Sequence, residues 1–87
     1  MEGQVDFDNV QEDQDVYGSD GERIGGVAGI SVDADTDQQI LEVSTGLMST
    51  LYIPRREVAY AVLGQPVRLA ITAAEARERF AAKPNVL

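Results

Sequence analysis

The stretch from Arg23 to Asp33, RIGGVAGISVD, constrains this chain more than any other segment. Ile24, Gly26, Ala28, Ile30 and Val32 alternate along it, the period of a strand with one buried face. Glycines at 25, 26 and 29 weaken a flat strand, so they predict bending or close approach of neighbouring backbone. Small barrels turn their corners in this way. Turn chemistry brackets the strand. Before it stands Gly18-Ser19-Asp20-Gly21-Glu22, in which Gly21 can supply a positive φ; after it comes the polar run Asp33 to Gln38.

Shorter strands follow. Gln39 to Thr45 places Leu41 and Val43 inward and Glu42 outward, residues 46–49 form a link, and Thr50 to Ile53 closes at Pro54. Val58 to Leu63 is apolar enough for a buried strand. Gly64-Gln65-Pro66 is a turn, and Val67 to Ile71 alternates as the last strand. The period then changes. Thr72-Ala73-Ala74-Glu75 is a capping box, and a helix is predicted over about 73–82, with Ala73, Ala76 and Phe80 on its docking face and Lys83-Pro84 beyond its end. The expectation is an all-β domain over 15–87 with one short C-terminal helix, preceded by an acidic, flexible arm over 1–14.

Composition narrows the chemistry. The 87 residues contain no Cys, His or Trp. That excludes a thiol nucleophile, a thiolate zinc site and an imidazole general base. An enzyme is not expected, and no cofactor. Nothing approaches the about 20 apolar residues of a membrane helix, nor a signal peptide, so a cytoplasmic protein without membrane insertion is expected. The net charge of −8 is unevenly spread: the first fifty residues hold twelve acids and one base, Arg23, and the remainder three acids and six bases. An anionic chain repels phosphate backbones, which argues against DNA and ranks RNA below protein as a partner.

Two groups of side chains invite a chemical reading. Asp33, Asp35 and Asp37 alternate as in the opening of a calcium loop, but the pattern requires Gly at position 38 and Glu at position 44, where this chain has Gln38 and Ser44. A polar turn is the better reading, with weak calcium binding as the residual one. Tyr52, Arg55, Arg56 and Tyr60 form a basic, aromatic cluster of the residue types enriched at interface hot spots. Phe7, set among acids with Val5 and Val10, is a further contact candidate; Val5 and Phe7 also fit one face of a strand pairing with a sheet edge.

Asp20-Gly21-Glu22-Arg23-Ile24-Gly25-Gly26-Val27, followed by Val32-Asp33 and later by Tyr52-Ile53-Pro54 and Val58, resembles the PRC-barrel domain family over about residues 15–71. The end of the chain, Val67-Arg68-Leu69 with Thr72-Ala73-Ala74-Glu75-Ala76, is similar to small stand-alone bacterial proteins of that kind. The resemblance implies a strongly bent β-barrel of about five to six strands in which Asp20, Gly21, Gly25, Val27 and Pro54 determine the fold. It also implies adaptor work. The family includes the cytoplasmic domain of the photosynthetic reaction-centre H subunit and the C-terminal domain of the ribosome maturation factor RimM, which hold onto other proteins or assemblies. The expected function is a protein-binding adaptor, self-associating as a homodimer, in the cytoplasm or at the cytoplasmic face of a membrane complex. An RNA- or ribosome-associated accessory factor is the alternative.

Overall fold

Alternation and turns build a mostly β chain. In the computed structural model, which describes residue 5, residues 7–46 and residues 49–87, six strands are followed by one helix. The strands are β1 (Asp15–Tyr17), β2 (Arg23–Val32), β3 (Gln39–Gly46), β4 (Ser49–Pro54), β5 (Val58–Tyr60) and β6 (Val67–Leu69); the helix α1 spans Ala73–Arg79. Short 3-10 turns cover Phe7–Asn9 and Arg55–Glu57. The link expected over 46–49 falls partly on residues 47–48, outside the described residues, as do most of the first six positions of the arm.

One mixed sheet holds all six strands in the order β4-β3-β2-β1-β6-β5. Every pairing is antiparallel except that of β1 with β6, which is parallel at Val16↔Val67 and Tyr17↔Arg68. The two outermost strands, β4 and β5, are consecutive in sequence and joined only by Arg55–Glu57. Laid flat, the edges of six strands would stand about 24 Å apart. The link from Pro54 to Val58 reaches at most about 14 Å. The sheet therefore curls until its edges approach, although no ladder joins β4 to β5.

Two bulges on β2 accomplish part of that bend and correct the predicted alternation. Register breaks opposite Val16/Tyr17 and again between Val27 and Gly29. The first break reverses the parity of β2 and the second restores it. Ile24 thus faces inward as expected, but Val27, paired with Val43, takes the inner position in place of Gly26 and Ala28. Ile30 pairs with the buried Leu41 yet stays 38% exposed. Gly25 is the tightest point: a Cβ there would lie 1.9 Å from the carbonyl oxygen of Ser44 on β3.

The curled sheet encloses one apolar cluster built from Val16, Ile24, Val27, Leu41, Val43, Leu51, Ile53, Val58, Val67 and Leu69. Ala73 and Ala76 of α1 join it, as their spacing predicts, and Phe80 packs against it. Among the described residues no polar or charged residue is buried. Glu42 is half-exposed between the buried Leu41 and Val43, on the outward side. The arm is docked where it is described. Phe7 is 4% exposed, Val5 forms a parallel bridge with Ala61, and Asp13 and Gln14 exchange backbone hydrogen bonds with Val27.

The capping box forms in full. The Thr72 hydroxyl accepts from the Glu75 amide at 3.1 Å, and Glu75 Oε1 accepts from the Thr72 amide at 3.0 Å. Bonds donated to the Glu75 carboxylate, by the Thr72 amide foremost and then by the Thr72 hydroxyl at 3.1 Å, hold its pKa below the ordinary value. The helix ends at Arg79, three residues short of the prediction, because the Phe80 carbonyl turns away to accept from the Tyr52 amide of edge strand β4 at 2.9 Å. Val58 to Leu63 likewise gives a shorter strand than predicted: Ala61 bridges to Val5, and the chain turns from Val62, whose carbonyl accepts from Gln65.

Candidate protein-contact surface

Pro54, lacking an amide hydrogen, ends β4 and leads into the Arg55–Glu57 turn, so both arginines sit at the seam between the two edge strands. Arg55 is engaged within the chain. Its Nη1 donates to Gln39 Oε1 at 2.6 Å, its Nη2 donates to the Val5 carbonyl at 2.8 Å, and its guanidinium stands 5.2 Å from the centroid of the Phe7 ring. Phe7 itself belongs to the core, so its ring is taken up by this chain's own interior. Arg56 is looser. Its Nε is 3.8 Å from Glu57 Oε2, and its side chain is 62% exposed.

The two arginines line an open groove of about 540 Å³ with Val5, Asp37, Gln38, Gln39 and Val58. Arg56 also reaches a smaller recess of about 180 Å³ beside Tyr52, Ile40, Pro54 and Phe80. Tyr52, Arg55 and Arg56 thus gather around the β4 side of the seam. Tyr60 does not line either space; it lies on β5 opposite Arg68 of β6. The four residues read as one cluster in sequence divide between two surfaces.

Asp33, Asp35 and Asp37 form a turn. Asp33 Oδ1 accepts from the amides of Asp35 at 2.7 Å and Thr36 at 3.2 Å, and Asp37 adopts a left-handed backbone with φ 63°. Among the described residues no group of three or more acidic side chains is arranged to hold a metal ion.

Charge that looks segregated along the sequence is partly neutralised by folding. Arg77 of α1 pairs with Glu22 at 2.9 Å, Arg79 with Glu57 at 3.4 Å, and Arg23 with Asp15 at 3.0 Å. The side chains of Arg68 and Lys83 make neither an ion pair nor a hydrogen bond among the described residues. Sequence reasoning singled out neither Arg68 nor Tyr17, its partner across the parallel pairing. Nothing local signals a contact between positions fifty-one residues apart.

The positions carrying the family resemblance have evident fold roles here. Asp20 Oδ1 accepts from the amides of Glu22 and Ala73, each at 3.4 Å, Gly21 takes φ 84°, and Val27 is buried. No family model matches the chain, and neither a curated protein nor a solved structure matches it. Among the described residues no helix is long and apolar enough to cross a membrane.

Proposed function

We propose that this chain is a small non-enzymatic adaptor, a PRC-barrel-like domain that works in the cytoplasm by binding protein and that associates with itself. The observation carrying this reading is the separation of chemistry from core. The sheet curls around an interior of apolar residues, and among the described residues every charged group and every phenol lies outside it. Catalytic sites are concave clefts or pockets lined by a few convergent polar groups of perturbed reactivity. An adaptor needs a rigid scaffold displaying Tyr and Arg outward.

The barrel description rests on the curl forced by the short β4–β5 link and on the glycine and bulge positions of β2. Tyr52 and Arg56 on one side of the seam and Tyr60 on the other are the contact residues. The test is affinity capture from native lysate with and without nuclease, beside sedimentation of the pure protein. Nuclease-resistant capture of protein together with self-association supports the reading. No captured protein and a monomer at every concentration contradict it, and nuclease-sensitive capture favours the RNA-associated alternative.

A further inference from the structure

One surface row lies largely outside the residues named above. The registers set Arg23 of β2 opposite Tyr17 of β1, Tyr17 opposite Arg68 of β6, and Arg68 opposite Tyr60 of β5. With strands about 4.8 Å apart, four alternating Arg and Tyr side chains stand side by side across the sheet. They face outward. Val16, Val67 and Leu69, their neighbours along β1 and β6, are at most 1% exposed and fill the inner face.

Within the row the two arginines differ. Arg23 Nε donates to Asp15 Oδ1 at 3.0 Å, so its charge is answered. The exposed Arg68 side chain has no hydrogen-bond or ion-pair partner among the described residues, although half-buried tyrosines flank it on both neighbouring strands. An unpaired guanidinium flanked by tyrosines on the two neighbouring strands is a ready receptor for a carboxylate. The rings supply contact area at low entropic cost, and the fork supplies direction.

We propose that the Tyr17–Arg68–Tyr60 row receives the acidic turn of a second copy of this chain, with Asp35 as the carboxylate that meets Arg68. This rests on the self-association proposed above and names its surfaces. The turn suits the role. Asp33 is occupied in folding it, whereas the exposed Asp35 carboxylate makes neither hydrogen bond nor ion pair among the described residues. Position matters as much as charge. The row crosses β2 at its first residue, Arg23, and the turn begins just beyond its last, Val32. Ten strand residues separate them by roughly 30 Å before curvature, so a turn cannot fold back onto its own row. Two copies related by a two-fold axis with β2 strands antiparallel bring each turn to the other's row, making the contact twice.

Copies of charge −8 repel one another at long range, but at physiological salt that repulsion is screened beyond about 8 Å and close complementarity decides. An exposed ion pair contributes at most about 1 kcal/mol, so the tyrosines carry the affinity and Arg68 the specificity. A nucleic-acid strand would also find rings and a cation here, but the net charge disfavours it.

The test is sedimentation velocity on the full chain and on Arg68→Glu and Asp35→Lys, each alone and then mixed, with thermal melts confirming that both exposed substitutions leave the fold intact. Each variant alone should self-associate at least about tenfold more weakly than the wild type, because like charges face one another in both contacts. Mixing the two should restore dimers, since the introduced glutamate of one copy then meets the introduced lysine of the other while the native Arg68–Asp35 contact survives once. Wild-type dimers that ignore both substitutions, or variants whose mixture stays monomeric, overturn this assignment and leave self-association standing. A monomeric wild type overturns both. Arg68-dependent binding of a labelled oligouridylate without self-association also overturns it.

Discussion

The guanidinium of Arg55 lies 5.2 Å from the centroid of the Phe7 ring while its Nη2 donates to the carbonyl of Val5. One side chain thereby fastens the N-terminal segment over the seam between the two edge strands of the sheet. Phe7 fills the core from outside the sheet, and Arg55 covers the ring from solvent. The cation–π contact adds about 0.5–2 kcal/mol to the burial of the ring.

Phe7→Ala should therefore lower stability by about 3 kcal/mol, as other large core truncations do. Arg55→Ala should cost about 1–2 kcal/mol, the sum of a cation–π contact and a charged hydrogen bond. Urea denaturation measures both. Hydrogen exchange should show faster exchange of the Val10 and Asp13 amides, which bond to Phe7 and Val27. Unchanged exchange in Arg55→Ala would mean that the arm is held without the clamp.

Glycine at 25 is a requirement of packing between β2 and β3. Because a Cβ would meet the Ser44 carbonyl at 1.9 Å, Gly25→Ala should cost about 3 kcal/mol or prevent folding, in the upper range of overpacking. Gly26→Ala, whose Cβ would find its nearest neighbour at 3.6 Å, should be close to neutral. Melting temperatures of the pair provide the comparison. Equal changes in the two variants would mean that close approach to Ser44 is not what position 25 requires.

The capping box makes a small part of the stability pH-dependent. The Glu75 pKa is lower in the folded chain than in the unfolded one, so its contribution is complete above the unfolded value and is lost as pH falls through the folded one. Thermal melts from neutral to acid pH should show Glu75→Gln losing stability at neutral pH and converging on the wild type in acid. Thr72→Ala should cost about 1 kcal/mol at neutral pH.

Much of this architecture is legible locally. The Asp-Gly turn at 20–21, the capping box at 72–75 and the Pro54 stop are encoded by adjacent residues whose backbone preferences suffice. Alternation located β2 and β3 for the same reason. What escaped depends on partners distant in sequence. The bulges of β2 arise from matching it to β1 and β3, so Val27 faces inward against an unbroken alternation. The parallel pairing of β1 with β6 joins residues fifty-one apart and is invisible to any local pattern. For the same reason Tyr60 groups in sequence with Tyr52, eight residues away, when its neighbour across the sheet is Arg68. Folding also changed the meaning of the charge: Arg77 and Glu22, from opposite ends of the charge asymmetry, form an ion pair.

Sedimentation velocity of the wild-type chain over a wide concentration range, at low and at physiological salt, tests the central claim most directly. A self-associating contact module predicts a sedimentation coefficient that rises with concentration from monomer toward dimer by mass action, with the balance between the two shifted by salt. A single monomeric boundary at every concentration and both salt levels would contradict it.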